Sequence, residues 1–223
     1  MKKICICGGG SLGHVIAGYL SANGKATVSI LTNHPTAWQN KIEICVPDNG
    51  EMLIGNIACV SANPAEALLD AEIVLLCLPG FLIKDELIKI RDFINSGTYV
   101  GSVFSSTGFF FEALKLLNED IPLWGFQRVP FISRIKEYGH SASLLGYKGC
   151  YHIAVERDTD ANKELFRYWV ENSFDRPVTL LKNYLEASLT NSNPLLHTAR
   201  LYSMFHDWQP GISYPRNILF YEE

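Results

Sequence analysis

The sequence predicts an α/β fold in which a doubly wound, mainly parallel β-sheet is followed by a short helical segment. Three observations predict it: short apolar runs with no polar face, helical repeats between them, and a glycine cluster where the first run meets the first helix. A run that is apolar on both faces fits a strand covered by helices on either side, and strands that alternate with helices fit parallel crossovers.

Taken in order, residues 3–7 form the first strand, bounded by glycine. Residues 11–22 carry Leu12, Val15, Ile16, Tyr19 and Leu20 at helical spacing and stop at Asn23-Gly24. Residues 26–31 are a β-branched second strand. Two alternating segments in 41–60 flank Asp48-Asn49-Gly50, and an Asn-Gly step at that place predicts an inserted hairpin. A helical stretch at 65–69 precedes the strand 73–78, which ends abruptly at Pro79-Gly80. Helix 82–93, strand 99–104, helix 109–117 and strand 123–126 follow. Two short strands are expected at 143–147 and 151–155 about Lys148-Gly149, then a helix at 161–172 and a last strand at 177–181. From Asn183 the pattern is helical, broken at Asn193-Pro194 and at Gln209-Pro210-Gly211. Two parts are therefore expected, residues 1–182 and 183–223.

Gly8, Gly10 and Gly13 fill G-x-G-x-x-G between the first strand and the first helix, the Rossmann-type arrangement for a dinucleotide. The first glycine permits a tight turn, the second lets a pyrophosphate approach the backbone, and the third lets helix and strand pack closely. Ser11 and Leu12, with Gly10, open the helix whose free N–H groups favour an anion. At the end of the second strand, Leu31 is followed by Thr32, Asn33 and His34. A carboxylate there accepts from a ribose 2′-hydroxyl and repels a 2′-phosphate, so its absence favours NADP over NAD. Thr32, Asn33 and His34, with Lys41 beyond them, are the candidate 2′-group contacts; the alternative is that they are polar loop residues capping the next helix. Leu78 and Pro79, and Ser105 and Ser106 after the next strand, lie at strand ends where such sheets bind ligands.

Composition excludes several partners. The 223 residues are 48% hydrophobic with a net charge of −4, which gives no reason to expect nucleic acid or an anionic membrane. The opening apolar stretch is too short for a signal or spanning segment, so a cytoplasmic location is expected. Six cysteines show neither a CxxC pair nor a spaced Cys/His quartet, which argues against a metal and a disulfide framework.

The stretches VPFISRIKEYGHSASLLGYKGCYHIAV and LTNSNPLLHTARLY, with the N-terminal GGGSLG, the hairpin before IVLLCLPGF, Pro130 with Arg134, and Gly146 with Lys148, resemble the octopine/nopaline (opine) dehydrogenases. The resemblance spans nearly the whole chain. It implies a Rossmann domain followed by a helical substrate domain, and reductive condensation of an amino acid with a 2-oxo acid using NADP or NAD. It also implies a catalytic histidine at His197. On its helix, Asn193 is expected to cap the N-terminus and Pro194 to sit in the first turn. Asn193, Arg200 and Arg134 are the candidate substrate-binding residues; for Arg134 and Lys148 a structural ion pair is the alternative.

That family's helical domain is longer than the stretch of about 40 residues from Asn183, and the aspartate that orients its histidine has no counterpart here. Asp207 lies about ten residues from His197, nearly three helical turns away and out of reach. The apolar run 217–221 reads as an edge that continues, either beyond the chain or against a second copy in a homodimer. Two other readings stay open: a non-catalytic NAD(P)-binding module, and a ketopantoate-reductase-like enzyme that reduces a 2-oxo acid without an amine.

Overall fold

The computed structural model describes residues 1–211 and Ser213, so the apolar run 217–221 lies outside the described residues. Met1–Leu189 form one compact unit and the chain from Thr190 a second.

In the first unit the strands are β1 (Lys2–Cys7), β2 (Ala26–Leu31), β3 (Lys41–Val46), β4 (Glu51–Ser61), β5 (Ile73–Leu76), β6 (Tyr99–Ser102), β7 (Leu123–Phe126), β8 (Phe131–Glu137), β9 (Ser141–Tyr147), β10 (Tyr151–Glu156) and β11 (Val178–Leu180). The helices are α1 (Ser11–Ala22), α2 (Pro64–Ala67), α3 (Gly80–Ile90), α4 (Phe109–Leu116), α5 (Asp160–Phe174) and α6 (Tyr184–Leu189). One sheet runs β11-β10-β7-β6-β5-β1-β2-β4-β3-β9-β8. Its centre, from β7 to β4, is parallel, while β10 against β7, β3 against β4 and β8 against β9 are antiparallel. The central strands are buried on both faces: Ile73 to Leu76 of β5 are all inaccessible. That burial is why they read as unbroken apolar runs.

Two expectations need correction. The hairpin about Asn49-Gly50 forms, with Gly50 at φ +71°, but β4 is more than its second arm. Past Asn56 it runs on parallel to β2, from Ile57 to Ser61, and so is itself a strand of the doubly wound sheet. The strands either side of Lys148-Gly149 part company: β9 pairs with β3 and β8, whereas β10 pairs with β7 and β11 near the opposite edge.

Strands β3, β9 and β8 curl around α1, which packs against β4 on one side and β8 on the other. The helix is therefore enclosed, and His14 within it has no solvent exposure. Its Nε2 accepts from the Gly139 N–H at 2.7 Å, in the turn between β8 and β9, so in the neutral ring the proton sits on Nδ1 and is donated to the Gly10 carbonyl at 3.0 Å. Trp38 packs against the ring, tilted by 34°, at 4.1 Å between centroids. Burial holds the imidazole below its usual value near 6.5, against the opposing pull of the Gly10 carbonyl.

Because the folded imidazole resists protonation, the unfolded chain binds more protons just below pH 6.5. Stability is expected to be flat above that pH and to fall below it, by up to about 1.4 kcal/mol per pH unit from this group. Thermal midpoints measured from pH 5 to 8 in wild type and in a His14 variant isolate the contribution.

Tyr184 at the start of α6 donates its N–H to Glu156 Oε1 at 2.7 Å, and α6 packs on β10 and β7. The second unit contains α7 (Asn193–Phe205), with Pro194 in its first turn. Ser192, not Asn193, occupies the N-cap, and Asn193 instead donates its N–H to the Asn191 side chain at 3.0 Å. All six cysteines are free: Cys5, Cys7 and Cys77 are buried and Cys45, Cys59 and Cys150 half-buried. Among the described residues no helix is long and apolar enough to cross a membrane.

Candidate functional site

The turn after β1 is held open by its glycines. Gly8 has φ +120°, and a Cβ there would stand 2.7 Å from the Cys77 carbonyl oxygen. A Cβ on Gly13 would overlap the Gly8 carbonyl oxygen, so its absence is what lets α1 start directly against the turn. Gly10 differs from both: a Cβ there meets nothing within 4 Å, and Gly10 caps α1 without a side-chain hydrogen bond. Open space therefore lies in front of a helix N-terminus, the condition an anion needs.

Two pockets flank this turn. The wider, about 740 Å³, is lined by Gly10, Ser11, Leu12 and the β5 crest at Cys77–Gly80, by Val103, Phe104, Ser106 and Thr107 after β6, and by Val129 and Phe131–Arg134. Its walls are mostly apolar, and Arg134 is the charged side chain among them. The smaller, about 170 Å³, is lined by Gly8, Gly9, Leu31, Thr32, Asn33, His34, Leu78, Glu86, Lys89 and Tyr138. Leu78 stands in the wall of both.

The structure thus gathers Gly8, Gly10, Ser11, Leu12, Thr32, Asn33, His34, Leu78, Pro79, Ser106 and Arg134 around two adjoining pockets. Ser106 lines the wider one while donating its hydroxyl to the Ser188 carbonyl at 3.0 Å. Ser105 is placed otherwise: it is fully buried and its hydroxyl donates to the Phe126 carbonyl at 2.8 Å, because its short helical turn points it into the sheet. Gly13 is likewise buried behind the turn, and Lys41 opens β3 away from the pocket lining. His197, Arg200 and Asn193 are exposed on α7 of the second unit. Asp207 pairs with its neighbour His206, Oδ2 to Nε2 at 2.7 Å.

Among the lining residues that escaped the sequence reading are three polar ones of the small pocket. Tyr138 sits at the tip of the β8–β9 hairpin, its hydroxyl 3.3 Å from Thr32 Oγ1. Glu86 and Lys89 are half-buried neighbours one turn apart on α3. Their i,i+3 spacing was a readable signal, but only the fold aims that face at the end of β2. Burial raises the Glu86 carboxyl above its usual value, an effect that Lys89 opposes.

These features define a protein of the Rossmann class, with its ligand cleft at the carboxyl ends of the central strands. No protein-family profile matches the chain. It is 28% identical to the uncharacterized protein y4xO of Sinorhizobium fredii, over 93% of this chain and 58% of that protein. It is 26% identical to tauropine dehydrogenase of Arabella iricolor, over 93% of this chain and 56% of that one. A solved octopine dehydrogenase, in complex with NADH and agmatine, superposes with a TM-score of 0.80 at 20% identity, covering 97% of this chain and 57% of its own. A yersinopine dehydrogenase with NADP+ bound gives a TM-score of 0.67 at 15% identity, covering 94% and 56%. The chain is thus similar to opine dehydrogenases in sequence and shares their fold, and it spans a little over half the length of the curated relatives it matches.

Proposed function

We propose that this chain carries the cofactor-binding part of an NAD(P)-dependent opine dehydrogenase, a cytoplasmic, homodimeric oxidoreductase that joins an amino acid to a 2-oxo acid and reduces the resulting imine. The observation that carries the reading is the pair of pockets either side of one glycine turn. The turn and the α1 N-terminus suit a pyrophosphate, the small pocket an adenosine ribose, and the wide apolar cleft a nicotinamide beside a small substrate. Gly10 has no side chain, and the space where a Cβ would stand is open, which suits a pyrophosphate at that turn. NADP is the preferred cofactor on this reading, since Thr32, Asn33 and His34 present no carboxylate to a 2′-phosphate.

A bound reduced nicotinamide supplies a hydride to the imine carbon. The chain's own residues bind and orient. Arg134 offers its guanidinium to the carboxylate of the 2-oxo acid, tethered meanwhile by donation to the Ser133 carbonyl at 2.9 Å. Leu12, Phe104, Phe131 and Ile132 exclude water from the reacting carbon. His197 is the candidate base that takes a proton from the substrate ammonium, so that the free amine can attack the 2-oxo carbon and water can leave, with Asn193 and Arg200 as candidate substrate contacts on the same helix.

Titration of the purified protein with NADPH and NADH, followed by nicotinamide fluorescence, tests the reading, with light scattering on the same sample reporting pairing. Saturable binding, then oxidation that needs both pyruvate and an amino acid, is the expected result. Binding of neither cofactor overturns it, and oxidation that ignores the amine points to a 2-oxo-acid reductase. Arg134→Met is expected to raise KM for pyruvate by about 10-fold to 100-fold, the range for losing one charge-assisted contact, with cofactor affinity unchanged.

A further inference from the structure

The small pocket contains two charges that the end of β2 does not supply. We propose that Lys89 of α3, positioned by Asn33 and Glu86, is the residue that distinguishes a ribose 2′-phosphate from a ribose 2′-hydroxyl, so that cofactor preference is set from α3. The inference rests on the cofactor reading above and adds the group that does the discriminating.

The geometry is specific. Lys89 Nζ donates to Asn33 Oδ1 at 3.5 Å, which brings the ammonium across the pocket to the residues that follow β2. It stands 3.9 Å from Glu86 Oε2, too far for a hydrogen bond, so this pair is loose. An ammonium has three N–H donors, and one long bond to an amide oxygen leaves capacity for an incoming anion. The Lys89 side chain is 31% exposed and the Glu86 side chain 16%, which puts the cation nearer the opening and the carboxylate deeper.

The two charges pull selectivity in opposite directions. Lys89 attracts a 2′-phosphate, and the Glu86 carboxylate repels one. A lysine is also a point charge without the bidentate fork of arginine, so the preference it sets is moderate. A 2′-hydroxyl still finds neutral partners in Thr32 Oγ1 and the Asn33 amide, both in the pocket wall. NADH therefore remains a ligand, and the discrimination is a ratio.

Dissociation constants for NADPH and NADH, measured by fluorescence on wild type, Lys89→Met and Glu86→Gln, test the proposal. Methionine keeps most of the lysine stem, and thermal melts report whether each variant folds. In Lys89→Met, NADPH is expected to bind at least about tenfold more weakly and NADH less than about threefold; in Glu86→Gln, NADPH is expected to bind several-fold more tightly. NADPH affinity should also fall more steeply with salt than NADH affinity in wild type, and equally in Lys89→Met. A folded Lys89→Met protein whose NADPH/NADH ratio stays within twofold of wild type overturns the role of Lys89. If wild type binds neither cofactor, the cofactor reading itself has failed.

Discussion

Gly10→Ala is expected to lose cofactor affinity by a hundredfold or more while its thermal midpoint stays within about a degree of wild type. The two effects separate because the new methyl meets no protein atom within 4 Å. The backbone there, φ −82° and ψ −178°, is one that alanine adopts freely. What the methyl does occupy is the space before the N-terminus of α1, where an incoming pyrophosphate needs direct approach to backbone N–H groups. Gly13→Ala should behave differently. Its Cβ would collide with the Gly8 carbonyl, a backbone atom that cannot rotate aside, so turn and helix must separate. Overpacking of this kind costs about 1–3 kcal/mol, and the displaced N–H groups lose the phosphate as well. Fluorescence titration beside circular-dichroism melts distinguishes the pair. Equal affinity in Gly10→Ala and wild type would falsify the assignment of the turn.

The second large effect concerns His14. Replacement by leucine, which matches its bulk but accepts no hydrogen bond, is expected to destabilise the protein by about 2–4 kcal/mol. Most of this comes from the buried Gly139 N–H, which loses its 2.7 Å acceptor and is left unpaired at a cost of about 1–3 kcal/mol. Loss of the tilted Trp38 ring contact adds about 0.5–1.5 kcal/mol. The Gly10 carbonyl keeps a partner in the backbone N–H of residue 14 and adds little. For a chain of this size the midpoint should drop by roughly 5–15 °C. The decline in stability below pH 6.5 should disappear in the same variant, which a merely bulky core residue would not bring about.

Local chemistry made the sheet's centre legible. β5 and β7, and β1 from Ile4 on, are buried on both faces and announce themselves as apolar runs, and the Asn-Gly turn marks the β3–β4 hairpin. β8 was missed although its residues alternate in burial, with Phe131 and Ser133 inward and Ile132 and Arg134 outward. Polar inward Ser133 and apolar outward Ile132 blur that alternation in sequence, and the strand's role depends on pairing across a turn at Gly139. The candidate site divides the same way. The glycine turn is a contiguous motif and can be read from sequence. Lys89 meets Asn33 across 56 residues and Tyr138 meets Thr32 across 106, contacts that only the assembled fold creates.

The β8–β9 hairpin borders both pockets: Phe131–Arg134 are in the lining of the wide cleft and Tyr138 in that of the narrow one. It is also pinned to α1 at two points, Ile135 N–H to Ser11 Oγ at 3.3 Å and Gly139 N–H to His14 Nε2. One hairpin therefore walls two chambers. Any shift of it that an occupant of the wide cleft favours would be felt in the narrow one, and thermodynamic reciprocity would make that coupling equal in both directions.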